Sequence, residues 1–202
     1  MATKMVVAVA TTIGLVLGIA SITCCQDTDP SATGPTTQSA TTTPAESEIV
    51  SEQNIELTSN DGALTLTLPA EWSQSKPKNL KIVIKAESTS GGSICVFSNV
   101  KADVVSFDAF AKGVHKYELS MLKNTQSSEA IKFMVGGRTA IRYDMTFDDG
   151  IYRWGFMEIF LETETRYNEF TVTGIRSLFN SKKEQWANLV NGLTEKPAPP
   201  EK

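Results

Sequence analysis

Apolar and polar residues alternate in several short stretches of this chain, which is the pattern of half-buried β-strands. In residues 63–68, Leu64, Leu66 and Leu68 share one face, and the threonines between them share the other. A turn at residues 60–62 and a shorter alternation before it predict a β-hairpin. Similar patterns predict further strands at residues 80–86, 94–97, 130–135, 139–147, 151–161 and 169–175.

The two longest of these strands are joined by a short polar sequence that favours a tight antiparallel turn. If Asp149 and Gly150 form a two-residue loop, Phe147 lies opposite Tyr152 and aromatic side chains stack along one face. Asp148 and Asp149 are interpreted as turn residues rather than metal ligands, because a Ca²⁺ loop needs more oxygen ligands at regular spacing.

The opposite face of this hairpin combines charged and apolar residues. The same register brings Arg142, Asp144 and Arg153 close together. They are interpreted as a cross-strand ion-pair cluster, with recognition of a ligand carboxylate as the alternative. Ile159 and Leu161 lie farther along this face, so both faces of the sheet carry apolar residues and each requires a covering element.

Two amphipathic helices are predicted to provide this cover. The first begins after Ser106, a plausible N-cap, and has apolar residues at helical spacing: Phe107, Phe110, Val114, Tyr117 and Met121. The second is predicted from a capping box at residues 181–184, followed by Trp186, Leu189, Val190 and Leu193. The order of elements predicts an α+β domain with an antiparallel β-sheet and helices packed on both faces.

Several segments in this order resemble the PsbP fold. They are the strand at residues 64–69 with Trp72 after it, the helix start at 106–110, residues 136–140 and the final helix at 186–193. This fold is shared by the extrinsic PsbP proteins of photosystem II, their Ran-binding nuclear homologues and bacterial envelope lipoproteins of the DcrB kind. The resemblance covers about residues 54–194 and implies an α-β-α sandwich that relatives use mainly to bind other proteins.

The N-terminus has the layout of an export signal. Residues 5–22 form an uncharged, mostly apolar run after Lys4, and Cys24 and Cys25 follow it. A cysteine at this place resembles a bacterial lipoprotein signal, in which the cysteine is acylated, so both cysteines are candidate lipid attachment sites. An uncleaved membrane anchor and ordinary signal cleavage are the alternatives. All three place the rest of the chain outside the cytoplasm.

Composition then divides the chain into four parts. Residues 1–25 are the predicted signal, and residues 26–48, rich in Ser, Thr and Pro, are a predicted disordered tether because they contain too few large apolar residues to form a core. Residues 49–195 form a single predicted domain. Residues 196–202 are a predicted flexible tail.

Overall charge narrows the choice of partners. The chain has 202 residues, is 41% hydrophobic and carries a net charge of −4. An acidic balance without a basic stripe argues against binding to nucleic acid.

Candidate catalytic residues are few. His115 is the only histidine and is expected at an exposed or edge-packed position on the first helix. A Ser-His-acid triad would have to use His115, and no nucleophile motif accompanies it. We therefore predict no catalytic residues, no metal site and no cofactor. Cys95 is expected to be a small buried apolar residue.

Glu118 is the most unusual residue of the predicted helix, because it lies within the apolar face. Either the helix frays there and Glu118 reaches solvent, or the carboxylate points into a cleft between helix and sheet, where burial would raise its pKa. Together with Arg142, Asp144 and Arg153, it marks a possible cleft for a ligand or partner.

These observations predict a membrane-tethered, extracytoplasmic protein-binding module of the cell envelope without catalytic activity. Its expected partners are the membrane, through the N-terminal lipid or anchor, and another envelope protein. The alternative is an envelope enzyme or small-ligand carrier that uses the cleft containing Glu118.

Overall fold

A computed structural model describes residues 53–102 and 104–196 of the chain. The predicted signal, the candidate lipid sites Cys24 and Cys25, the tether and residues 197–202 lie outside the described residues. Within the described part, no helix is long and apolar enough to cross a membrane.

Eleven described strands form two antiparallel sheets. The smaller sheet has the order β1-β2-β11, and the larger has the order β3-β4-β5-β10-β9-β8-β6, with β7 also paired to β8. The strands are β1 (Asn54–Thr58), β2 (Leu64–Pro69), β3 (Trp72–Gln74), β4 (Ile82–Ser88), β5 (Ser93–Val100), β6 (Gln126–Ser127), β7 (Ile131–Val135), β8 (Arg138–Asp148), β9 (Arg153–Glu162), β10 (Arg166–Ile175) and β11 (Leu193–Glu195).

The predicted N-terminal hairpin is confirmed. β1 and β2 pair antiparallel with Leu57 opposite Leu66, and the turn between them contains Gly62 at a φ of 71°. The side chain of Ser59 accepts a hydrogen bond from the Leu64 amide. The three short strands β3, β6 and β11 were not predicted, because two or three residues are too few to show an alternation.

The predicted register of the β8–β9 hairpin is wrong by two residues. Phe147 lies opposite Trp154, not Tyr152, because the loop has four residues instead of two. The carboxylate of Asp149 stabilises this longer loop by accepting hydrogen bonds from the amides of Ile151 and Tyr152 and from the Trp154 indole. The interpretation of Asp149 as a turn residue therefore holds, although the turn is not of the predicted type.

The first predicted helix is confirmed as α1 (Phe107–Met121), and the Ser106 hydroxyl caps it by accepting a hydrogen bond from the Ala109 amide at 3.3 Å. Its buried face is rotated from the expected one. The buried positions include His115 and Glu118, whereas Met121 is 54% exposed. The expectation that His115 is exposed or at the edge of the helix is therefore wrong.

The second helix, α2 (Arg176–Asn188), begins five residues before the predicted capping box. No side chain caps it at Ile175, and Ser181 lies inside the helix, where its hydroxyl donates to the Leu178 carbonyl. The helix then tightens into a 3-10 turn (Leu189–Gly192) before β11.

Each face of the large sheet is covered by a different set of elements. On one face, α2 and the small sheet enclose the main core, which includes Leu66, Ile94, Met157 and Phe170. On the other face, α1 packs against aromatic residues of β8, β9 and β10: Tyr143, Phe156, Phe160 and Tyr167. The predicted α+β fold with helices on both faces of an antiparallel sheet is thus confirmed.

Glycines in the central strands allow α2 to lie close to the sheet. A Cβ atom at Gly155 would come within 2.4 Å of the Phe179 ring, and one at Gly174 would come within 3.0 Å of the Trp186 ring. Trp186 is fully buried and contacts Trp72 edge to face at 6.2 Å between ring centroids. The predicted burial of Trp186 is therefore confirmed.

We expect Trp186→Ala to reduce the free energy of unfolding by about 3–5 kcal/mol, because it removes the fully buried side chain that packs α2 against Trp72 and Gly174 of the large sheet. Denaturant unfolding of the full-length chain measures this. Leu80→Ala is the matched control, since Leu80 is 94% exposed and its truncation should cost less than about 0.5 kcal/mol. Equal unfolding midpoints for the two variants would contradict this account of the core.

Candidate functional site

A chain of polar contacts runs from the surface into the interior beneath α1. The Nδ1 atom of His115 lies 2.5 Å from Oε2 of Glu158, and its Nε2 atom lies 3.1 Å from the hydroxyl oxygen of Ser127. The imidazole stacks on the Tyr143 ring, with centroids 3.7 Å apart and planes 7° from parallel. Stacking and two hydrogen bonds together fix the position of this histidine.

Three elements place carboxyl groups in the same layer. Glu118 comes from α1, Glu158 from β9 and Glu169 from β10, and their exposed fractions are 2%, 0% and 1%. Each has one oxygen that is buried without a hydrogen-bond partner. Glu158 and Glu169 are diagonal neighbours, since Glu158 pairs with Thr171 across the strands. Among the described residues, no cluster of His, Cys, Asp and Glu has the arrangement of a metal site.

Burial makes these groups hold protons at higher pH than free carboxyls do. It raises the pKa of Glu118 to about 7, although the nearby His115 opposes the rise. It also raises the pKa of Glu158 and of Glu169 well above the ordinary value, and neighbouring carboxyls add to both shifts. The pKa of His115 is lowered by burial, an effect that Glu118 opposes. The cluster therefore has little net charge near neutral pH.

Arg142 and Asp144 lie on the opposite face of the sheet, beneath α2. Arg142 donates to both oxygens of Asp144 at 2.6 and 2.9 Å and to both oxygens of Glu184 at 3.0 Å. Lys183 donates to Asp144 at 3.1 Å. Burial alone would lower the pKa of Arg142, but the hydrogen bonds to Glu184 and Asp144 raise it above the ordinary value.

The predicted cleft residues therefore do not form one site. Glu118 belongs to α1 and lies on the face of the sheet that α1 covers. Arg142 and Asp144 of β8 lie on the α2 face, because they alternate with Ile141 and Tyr143, which point toward α1. Arg153 does not join the predicted ion-pair cluster: it lies opposite Asp148 at the end of the hairpin, is largely exposed and contacts Asp148 at 3.8 Å. The four-residue loop is the reason, since it moves Arg153 away from Asp144.

A groove lies at the edge of the sheet between β6, β8 and α2. Its volume is about 200 Å³, and its lining residues include Ser127, Asp144, Met145, Arg176, Phe179 and Lys183. The groove lies on the face of the sheet that α2 covers, opposite to the face covered by α1.

Cys95 has a less buried position than expected, at intermediate exposure on β5. Burial nevertheless raises the pKa of its thiol to about 11. A neutral thiol is a weak nucleophile, so the structure assigns Cys95 no chemical role.

His115 and Glu118 were predicted from the sequence as candidate residues, whereas Ser127, Glu158 and Glu169 were not. A signal for Glu158 was present, because it is the one charged residue within the apolar run from Trp154 to Leu161. Ser127 carried no such signal, because β6 is too short to recognise and its contact with His115 arises only in the folded chain.

Comparisons with known proteins support the fold through structure and not through sequence. No family model matches the chain, and no curated protein matches it significantly. The cyanobacterial PsbP of Synechocystis sp. PCC 6803 aligns with a TM-score of 0.55 at 6% identity, over 75% of this chain and 98% of that one. This chain has a PsbP-like fold.

Other PsbP-like structures give the same result. LpqN of Mycobacterium tuberculosis aligns with a TM-score of 0.54 at 12% identity, over 72% of this chain and 91% of LpqN. A point variant of Mog1 aligns with a TM-score of 0.51 at 10% identity, over 70% of this chain and 95% of Mog1. At these identities the likeness establishes the PsbP-like fold and carries no activity with it.

The buried carboxyls predict that stability falls as pH rises. The folded-state pKa of Glu118 is raised from 4.5 to about 7, so its contribution is fully present below pH 4.5 and is lost as pH rises through 7. Glu158 and Glu169 act in the same direction. His115, with its lowered pKa, acts in the opposite direction below pH 6.5. Tyr143 and Cys95 face the same layer but have raised pKa values and stay neutral in this range.

We therefore expect the unfolding free energy to decrease from pH 5.5 to pH 8, as measured by urea unfolding at fixed ionic strength. In Glu118→Gln, which cannot ionise, this decrease should be smaller by an amount on the order of 2 kcal/mol. Glu129→Gln is the control, because Glu129 is exposed. A wild-type stability that increases over this range would contradict the prediction.

Proposed function

We propose that this protein is a membrane-tethered, extracytoplasmic module that binds an extended segment of another envelope protein along the β6–β7 edge of its large sheet. The observation that carries the binding proposal is this edge. Both strands pair with β8 on one side, and no described strand pairs with their other side. An open edge offers backbone amide and carbonyl groups to an incoming strand.

Side chains on β7 support binding of an apolar partner. Ile131 is 45% exposed and Met134 is 61% exposed, while Phe133 between them packs against the core. Lys132 is held by Asp108 of α1 at 2.9 Å, so it is drawn toward the helix. An edge strand with exposed apolar side chains tends to pair with a strand of another chain, and proteins that avoid such pairing rarely have one.

The tether is proposed from the sequence, since the apolar run is followed directly by Cys24 and Cys25. An attached acyl chain would hold the protein at the membrane, because each buried methylene contributes about 0.8 kcal/mol. The description of LpqN as a protein of cell envelope biogenesis supports an envelope location for a domain of this shape.

We expect metabolic labelling with an alkyne fatty acid to tag the full-length chain and to fail in Cys24→Ser/Cys25→Ser. Cys95→Ser is the matched control and should label as the wild type does, because Cys95 lies within the folded domain. Equal labelling of the wild type and the double variant would contradict lipidation, and intact mass would then distinguish an uncleaved anchor from ordinary cleavage.

For the binding edge, we expect Ile131→Asp/Met134→Asp to lose partners that are cross-linked to the full-length protein in native membranes. A charge at these positions would have to be desolvated on binding. Leu80→Asp/Val104→Asp is the control, because both residues are more than 90% exposed and neither lies on this edge. Retention of every cross-linked partner by the edge variant would contradict the proposed surface.

A further inference from the structure

Ser127, His115 and Glu158 form a chain of hydrogen bonds whose burial increases from one end to the other. Ser127 is exposed on the edge strand β6, His115 is 8% exposed, and Glu158 is fully buried. The chain runs from the serine oxygen to Nε2 at 3.1 Å and from Nδ1 to the carboxylate at 2.5 Å. In serine hydrolases, the hydroxyl nucleophile, its general base and the acid that orients the base are hydrogen-bonded in this order and at similar distances.

The imidazole is positioned for this role by its other contacts. It is stacked on Tyr143, which prevents the ring from turning away from either partner. When Glu158 is ionised, the proton shared with His115 lies on Nδ1, and Nε2 has a free lone pair directed at the Ser127 hydroxyl. Because burial raises the pKa of Glu158, this state forms at higher pH than for a free carboxyl. The carbonyl oxygen of Ser128, also 3.1 Å from the Ser127 oxygen, is the competing acceptor for the same proton.

We propose that Ser127 is the nucleophile of a serine esterase site, in which His115 is the general base and Glu158 orients the histidine. No short sequence motif surrounds these residues, which come from β6, α1 and β9. The proposal goes beyond the binding function above and does not depend on it, because it rests on the hydrogen bonds of Ser127, whereas the binding proposal rests on the open backbone edge and the exposed side chains of β7. Ser127 lies on the same edge, so a strand bound along β6 would cover it.

The reaction proceeds in two balanced steps. The Ser127 oxygen bonds to the carbonyl carbon of the ester while its proton passes to Nε2 of His115. The bond to the alcohol oxygen then breaks, and that oxygen leaves with the electron pair and takes the proton from Nε2. Water attacks the acyl-serine in the same way, releasing the carboxylic acid and restoring the Ser127 hydroxyl.

Ser127 is approached from solvent and not from the groove on the α2 face. Its side chain shares a face of the sheet with that of its partner Met145, which packs against α1, and Ser127 is exposed on the edge strand. A small ester of a short carboxylic acid reaches such a serine with the least contact with α1 and is therefore the substrate class of the proposal.

The experiment uses the full-length chain, p-nitrophenyl acetate as the substrate and a fluorophosphonate as the covalent label. We expect the label on the peptide containing Ser127 and its absence in Ser127→Ala, together with loss of hydrolysis above the solvent rate. Ser120→Ala is the control, because Ser120 is an exposed serine on the same helix as His115 and only contacts the Tyr117 carbonyl.

The partners of the serine are tested by the rate of labelling. His115→Gln and Glu158→Gln should slow the labelling of Ser127 about 100-fold, which is the usual contribution of a general base. Thermal unfolding identifies any variant that fails to fold, and Ser127→Ala, at an exposed position, keeps the test decisive if a buried variant does not fold. The wild-type rate should also rise with pH as Glu158 ionises, through a pKa above that of a free carboxyl, and then level off.

Three results would overturn the proposal. The first is a folded wild-type chain with no label on Ser127. The second is hydrolysis by Ser127→Ala at the wild-type rate, which would assign the reaction to other surface groups. The third is labelling of Ser127 at full rate in a folded His115→Gln, which would show a serine that reacts without its proposed base.

Discussion

Strands β9 and β10 lie in the middle of the large sheet and bury side chains on both of its faces. A strand in this position is stable only if apolar groups cover each face, and two strands of this length require cover along most of the sheet. α2 and the small sheet supply it on one side, and α1 supplies it on the other. The glutamates beneath α1 are separated from Arg142 and Asp144 beneath α2 because of this arrangement.

The strand and helix positions could be predicted from the sequence because alternation and helical spacing are local properties. The register of the β8–β9 hairpin could not, because the Asp149 carboxylate binds backbone amides of the loop and favours four residues where Asp-Gly alone suggests two. The start of α2 was missed for a different reason: Ile175 stands at the N-cap and no side chain caps the helix there, so the sequence carries no capping residue at this position.

Residues of the site could be predicted only where a charged residue interrupts an apolar stretch of its own helix or strand. Glu118 was identified because it interrupts an apolar helix face, and Glu158 interrupts an apolar strand in the same way. Glu169 and Ser127 do not. Glu169 stands at the start of the strand predicted at residues 169–175, although β10 begins three residues earlier, and polar residues are ordinary at a strand end and on an edge strand. Their proximity to His115 and Glu118 depends on the order of β10, β9, β8 and β6 in the sheet, which one sequence does not specify.

The two polar layers differ in how they balance charge. Beneath α2, Arg142 and Lys183 face Asp144 and Glu184, so opposite charges are paired and partly open to water. Beneath α1, three buried glutamates share a layer with one histidine. A glutamate that ionises there leaves a negative charge in a buried site, and a histidine that ionises adds a positive charge. Burial of charge is costly unless it is paired. The α2 layer can therefore remain ionised in the folded chain, whereas an added charge beneath α1 is unpaired and lowers the stability of the fold.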